Sequence, residues 1–209
     1  IETCEILNKQ KNYQGWDFPS LYYNVVFKKD NFIVNVIVID TNMFEKDGLR
    51  CDQKEFTKKQ ISKQINWAVK CKKRYENENA WTMVVGHIPY IANSHKKDKV
   101  IVKNDKLEKL INLVQPHIYF CADEHNQQLI NVKNGDTNLA LVISGSGGTN
   151  LDDIVNEIKG TQYQMSTFGF VDFIFSKDTV TVNFIITDNP DTSIQQYSTV
   201  YNRDMTPNI

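Results

Sequence analysis

The chain has 209 residues, enough for one substantial domain with a real core. Its 24 basic and 25 acidic residues leave a formal net charge of −1, which gives no support to a nucleic-acid or anionic-membrane surface. No apolar stretch approaches the roughly 20 residues that span a bilayer; the opening Ile1-Glu2-Thr3-Cys4 has no initiator Met and no signal-peptide pattern, so a processed product or fragment is expected.

Leu21–Phe27 and Phe32–Asp40 read as strands, rich in Val, Ile and aromatics. The second is almost continuously apolar, which predicts a central strand buried on both faces. A polar loop, Glu45–Asp52, follows. From Lys54 to about Tyr75 the apolar residues Ile61, Ile65, Ala68 and Val69 recur at three- and four-residue steps, predicting a helix with one buried stripe. Trp81–Gly86 is the next strand. Asp105–Val114 is a second amphipathic helix, terminated by Pro116. Ile118–Cys121 and Leu139–Ser144 are short strands. This alternation argues for βαβ units and an α/β fold. Gly169–Ser176 and Thr179–Ile186 read as a hairpin around Lys177-Asp178 that extends an antiparallel part of a sheet. Lys70-Lys72-Lys73-Arg74 and His95-Lys96-Lys97 read as solvated faces.

The four cysteines, Cys4, Cys51, Cys71 and Cys121, fit no zinc-finger or CxxC spacing. Cys121 ends an apolar strand and reads as a buried thiol. The other three lie in polar surroundings and are open to pairing. None of the 22 Asn sits in an Asn-x-Ser/Thr acceptor, which weighs against a glycosylated secretory product.

Two segments carry the chemistry. Val84-Val85-Gly86-His87-Ile88-Pro89 and Tyr119-Phe120-Cys121-Ala122-Asp123-Glu124-His125-Asn126 each end an apolar run in a metal-capable side chain. Gly86 lets the backbone approach a neighbour closely. Asp123 and His125 point the same way if strand geometry persists. Taken singly, His87 reads as a capping or solvent-facing loop residue and Asp123-Glu124-His125 as a polar turn. In combination, both segments end strands of one βαβ series, where α/β sheets place ligand sites. His117 begins a strand and reads as structural. Gly145–Gly148 lacks the Lys-Ser/Thr of a P-loop and reads as a strand-end turn.

These segments resemble the calcineurin-like metallophosphoesterases, specifically the tartrate-resistant purple acid phosphatases. Val84–Pro89 matches the family's Val-x-Gly-His-x-Pro. Cys121–Asn126 is similar to its Cys-Gly-His-Asp-His-Asn, with Ala122 for Gly and Asp123 for the first His. Trp16–Tyr23 resembles its Trp-x-x-Pro-x-x-Tyr-Tyr stretch, Ile39-Asp40-Thr41 its Leu-Asp-Thr strand end, Ser144–Gly148 its Ser-Gly-x-Gly turn, and Phe168–Val171 its Gly-Gly-Phe strand.

The resemblance implies the C-terminal part of an α/β sandwich with two mixed sheets flanked by helices. It implies that residues 1–209 are a single, partial metallophosphoesterase domain lacking the N-terminal metal-ligand motifs, including the bridging carboxylate. His125 would serve the ferric position and His87 with Asp123 the divalent one of a dinuclear Fe/Zn or Fe/Mn site, if the N-terminal half is present; otherwise no metal is held. His95 would contact substrate phosphate. Asp123 either retunes the metal toward hard ions that favour oxygen donors or, being shorter than His, impairs the site. The expected function is a purple acid phosphatase-like protein with an impaired site, acting as a structural or interaction component. The alternative is an active phosphomonoesterase whose N-terminal half is a separate cleaved chain. The expected partner is that half, from the same precursor or another chain, with a phosphomonoester if active. No nucleic acid and no membrane span are expected, and the 209 residues alone are expected to be inactive. The family implies a secretory or lysosomal location.

Overall fold

A computed structural model describes residues 19–45, 56–93, 101–134, 137–154, 157–189 and 192–207. The chain begins there with an antiparallel pair, β1 (Tyr23–Lys29) and β2 (Phe32–Val38), turned at Asp30. Helix α1 (Lys58–Lys73) then returns the chain to β3 (Ala80–Val85), which lies parallel to β2. A small ribbon, β4 (Ile91–Asn93) and β5 (Ile101–Lys103), precedes helix α2 (Asp105–Val114) and β6 (Ile118–Cys121), parallel to β3. β7 (Gln127–Asn134) and β8 (Thr137–Ser144) form a hairpin, and β9 (Thr161–Met165) pairs with β7. The result is a mixed seven-stranded sheet in the order β1-β2-β3-β6-β8-β7-β9. β10 (Gly169–Phe175), β11 (Thr179–Asn189) and β12 (Thr192–Asn202) make a second, antiparallel sheet of three strands.

The helices start and stop where local chemistry directs. Thr57 caps α1 through a reciprocal pair with Gln60: its hydroxyl accepts from Gln60 N at 3.2 Å, and Gln60 Oε1 accepts from Thr57 N at 2.9 Å. Asn104 caps α2 by accepting from Leu107 N. Gln115, left-handed at φ 48°, ends α2 ahead of Pro116.

Two apolar cores flank the large sheet. On one face Ile37, Val84, Tyr119, Leu141 and Ile143 pack with Ala68 and Cys71 of α1 and Leu107, Leu110, Ile111 and Val114 of α2. On the other, Val34, Trp81, Met83, Ile118 and Val142 pack with Val180, Val182 and Phe184 of β11 and Tyr201 of β12. The three-stranded sheet spans only part of that face. Phe173 of β10 meets Phe120, and Phe175 meets Trp81. Beyond β10, Phe27, Phe32, Val34, Val36 and Met83 line an apolar depression with Phe175, and Phe27 is 61% exposed.

The α/β sandwich and the βαβ units agree with the sequence reading, and several details differ from it. The second sheet is antiparallel rather than mixed. The strand read over Phe32–Asp40 stops at Val38, because Asp40 caps a single 3-10 turn, Thr41–Phe44. The helix read from Lys54 begins at Lys58; Lys54 and Glu55 lie outside the described residues. The hairpin read over Gly169–Ile186 forms, and it founds a separate sheet with β12. Cys71, read among polar residues, is a buried free thiol, as is Cys121. Cys4, Cys51 and Trp16 lie outside the described residues. No helix among the described residues is long and apolar enough to cross a membrane.

Candidate metal centre

β3 and β6 are parallel neighbours, so their carboxyl ends deliver His87 and Asp123 to the same sheet edge. The two loops are stitched by backbone: Gly86 N donates to Phe120 O at 3.0 Å, and Ala122 N to His87 O at 2.9 Å. His87 Nε2 lies 3.5 Å from Asp123 Oδ1.

The loop after Gly86 is held from three sides. Thr41 Oγ1 accepts from both His87 N and Ile88 N, each at 3.2 Å. The Tyr119 hydroxyl donates to Ile88 O at 2.5 Å. A Cβ on Gly86 would sit 2.5 Å from Thr41 Cγ2 and 2.8 Å from the Tyr119 hydroxyl. The glycine is needed for that close approach. Thr41 is itself fixed by the Asp40 turn. Buried Gln64 of α1 donates to Asp40 O at 3.0 Å and accepts from Asp40 N at 2.8 Å. Burial raises the Asp40 carboxyl above its ordinary pKa, opposed by the hydrogen bond from Asn42 N.

Asp123 has φ 70°, the left-handed region that costs an ordinary residue about 1–2 kcal/mol and that Asp tolerates through local hydrogen bonding. The strand geometry that would point Asp123 and His125 the same way therefore does not persist to them. The strand ends at Cys121. The chain then turns: Glu124 N donates to Ala122 O, and Asn126 N to Glu124 O. His125 is oriented by the next loop. Its Nδ1 stands 2.9 Å from Asn150 O. A carbonyl only accepts, so Nδ1 donates here, which leaves Nε2 as the ring nitrogen that could face a ligand. Asp152 Oδ2 accepts from His125 N at 3.1 Å and lies 3.6 Å from His125 Nδ1. Asn150 and Asp152 are the supporting residues that sequence reasoning missed. Their only local signal is an Asn-x-Asp step just after the glycine turn. Gly145 is a tight crossing, as read, since a Cβ there would meet Glu124 O at 2.0 Å. His95 lies outside the described residues.

Two donors, each about 2.1 Å from a tetrahedral ion, lie about 3.4 Å apart. The His87–Asp123 separation of 3.5 Å therefore fits two positions of one divalent ion. Among the described residues no group of three or more His, Cys, Asp or Glu side chains is gathered to hold a metal. The described donors do not make a dinuclear centre. Beside them, Asn126 Nδ2, Gln127 Oε1 and Ser146 Oγ are buried with no hydrogen-bond partner among the described residues.

No protein-family profile matches the chain. Tartrate-resistant acid phosphatase type 5 of Rattus norvegicus is 29% identical over 139 residues, which is 63% of this chain and 40% of that protein. The Sus scrofa protein is 28% identical over 137 residues, 63% of this chain and 39% of that one. The chain thus spans about 40% of the length of these curated relatives. Among solved structures, "GAP50 the anchor in the inner membrane complex of Plasmodium" superposes with a TM-score of 0.67 at 17% identity, over 94% of this chain and 60% of the other. PhoD does so with a TM-score of 0.63 at 16% identity, over 90% and 43%. Purple acid phosphatase PPD1 from yellow lupin seeds gives 0.62 at 14%, over 88% and 33%. The sheet order, the edge shared by His87 and Asp123, and these relatives support a metallophosphoesterase-type region of the purple acid phosphatase kind in this chain.

Proposed function

We propose that this chain is a purple acid phosphatase-like protein whose dinuclear site is altered and impaired, and whose fold serves as a structural or interaction component. Residues 1–209 act in this reading as one partial metallophosphoesterase domain. One observation carries it. At the position where the family motif resembled here has a histidine, Asp123 sits in a left-handed backbone conformation and turns its carboxylate to His87 at 3.5 Å. A carboxylate is shorter than an imidazole. The solved structure of similar fold described as an anchor in an inner membrane complex supports a structural use of this sandwich.

A second reading has its own support. The 3.5 Å spacing also suits two ligands of one divalent ion, which favours a working phosphomonoesterase when a further donor set is supplied. In that reading His87, Asp123 and His125 hold the ions and His95 contacts phosphate. Metal analysis of the native protein, with turnover of an aryl phosphate at acid pH, separates the two. The impaired-site reading expects less than one tightly bound transition metal per chain and no turnover that His125→Ala abolishes. Two bound metals with His125-dependent turnover would replace it with the enzyme reading.

A further inference from the structure

The opposite edge of the seven-stranded sheet carries a second group of polar side chains. There the amino ends of β6 and β8, the last turn of α1 and the chain after β12 border an open cavity of about 360 Å³. Lys72, His117 and Arg203 line it, with Glu76, Asn138 and Asp204.

Three donors there have no acceptor among the described residues. His117 Nδ1 accepts from Thr82 N at 2.9 Å, so the ring proton resides on Nε2, for which no partner occurs among the described residues. Burial, reinforced by Lys72 and Arg203, pushes the His117 pKa down to about 4, so the ring is a neutral, fixed donor. The Arg203 guanidinium stacks on Trp81, 4.3 Å from the ring centroid, and Nε donates to Lys177 O at 2.8 Å. Its Nη2 is closed to solvent and has no acceptor among the described residues. Lys72 is half-buried. Burial lowers its pKa, Glu76 opposes that, and Arg203 adds a smaller lowering. The Lys70–Arg74 run read as a solvated face thus sends one member into a cavity.

Two carboxylates also line the space. Glu76 is exposed. Asp204 is committed to its own turn, accepting from Thr206 N at 3.0 Å and Thr206 Oγ1 at 2.6 Å. Neither comes within 4 Å of a Lys72 or Arg203 nitrogen. Two cations therefore face a shared space with a neutral imidazole donor; Glu76 favours the charged form of Lys72 and Asp178 that of Arg203, with no carboxylate in ion-pair contact with either among the described residues. We propose that this cavity binds a phosphate-sized oxyanion, held by Arg203, Lys72 and the His117 Nε2–H. Fork-like guanidinium bonding and charge-assisted N–H donors suit such an anion.

The test is a titration of the full 209-residue chain with inorganic phosphate in EDTA at neutral pH. It is followed by the ring signals of His117 and the indole N–H of Trp81 in nuclear magnetic resonance spectra. Saturable shifts of both are expected at millimolar phosphate or below. Lys72→Gln changes one side chain on a helix, so folding is retained, and it is expected to weaken binding about tenfold. Arg203→Lys keeps the charge and loses the fork, and is expected to weaken it similarly. Phosphate that shifts only signals near His125 and Gly145–Gly148, or moves none, overturns the proposal. So does unchanged affinity in the folded Lys72→Gln chain.

Discussion

Thr41 Oγ1 accepts a hydrogen bond from His87 N at 3.2 Å, tying the loop after β2 to the loop after β3. The same oxygen takes Ile88 N. One hydroxyl therefore serves two backbone donors at the edge that carries His87. Thr41→Val keeps the shape and strands both donors, at a cost of about 1–3 kcal/mol. Thr41→Ser restores the acceptor and should recover most of it. Urea denaturation of the three chains measures the difference; equal midpoints for Thr41→Val and the unmodified chain would show the bond to be unimportant.

The glycine turn separates packing from flexibility. A Cβ at Gly145 would lie 2.0 Å from the Glu124 carbonyl oxygen, while at Gly147 nothing lies within 4 Å. Backbone cannot yield as a side-chain tip can. Gly145→Ala is therefore expected to lose about 2 kcal/mol or more, within the range for overpacking, while Gly147→Ala stays within about 0.5 kcal/mol. Thermal melts that rank the two the other way would contradict this account of the turn.

His117 gives the chain an acid-sensitive element. Its folded pKa of about 4 lies below the ordinary 6.5, through burial first and then Lys72 and Arg203. As pH falls, the unfolded chain takes up this proton before the folded one does. The contribution is fully present above pH 6.5 and is lost as pH falls from 6.5 toward 4. Its size is up to about 3 kcal/mol. His117→Gln keeps an acceptor for Thr82 N and removes the titration. In phosphate-free buffer, the unfolding free energy of the unmodified chain should fall toward that of the variant between pH 7 and 4. A difference that holds constant over that range would remove His117 as the cause.

The parts of this fold that the sequence makes legible are those where an apolar pattern meets a clear stop. α2 begins and ends as read, because Asn104 caps it and Pro116 follows it. β7 escaped because it opens with Gln127 and Gln128, polar residues that are fully buried. Gln128 joins Asn93 O and Asn126 Oδ1 by hydrogen bonds, so its burial depends on partners far along the chain. β12 carries Ser, Gln and Thr over an exposed face, which hides its period. At the site, the residue types of His87, Asp123 and His125 were readable, and the shared edge followed from βαβ order. The left-handed turn at Asp123 was not, since it depends on where the strand stops. Nor was the Asn150 carbonyl behind His125, 25 residues away.

The apolar depression beside β10 predicts a sticky surface. Phe27 is prominent in it, with Phe32, Val34, Val36 and Met83 behind. Contiguous apolar patches of this kind are uncommon on monomers. The isolated chain is expected to bind a hydrophobic dye and to associate as concentration rises. Phe27→Glu should reduce both with little change in melting temperature, since the ring is mostly exposed. A monodisperse chain with no dye binding would show that the depression is not a surface in solution.

The last prediction concerns Asp123 itself. The resemblance places a Gly and a His where this chain has Ala122 and Asp123, and both changes could matter. The structure divides them. The left-handed angle falls on Asp123, not on Ala122, so Ala122 demands nothing that only glycine supplies. Histidine, like Asp and Asn, is enriched among non-glycine residues at such angles. Asp123→His alone should therefore fold, and it offers a longer, softer donor beside His87. Transition-metal occupancy of the native protein is expected to rise with Asp123→His, and adding Ala122→Gly should raise it little further. Neighbouring hydrogen bonds tune metal affinity about 10- to 100-fold, so turnover need not return in step. If unmodified protein already carries two metals and Asp123→His lowers that number, Asp123 is a working oxygen ligand and the impaired-site reading fails. If only the double change raises occupancy, the constraint lies at residue 122 and the division drawn from the backbone is wrong.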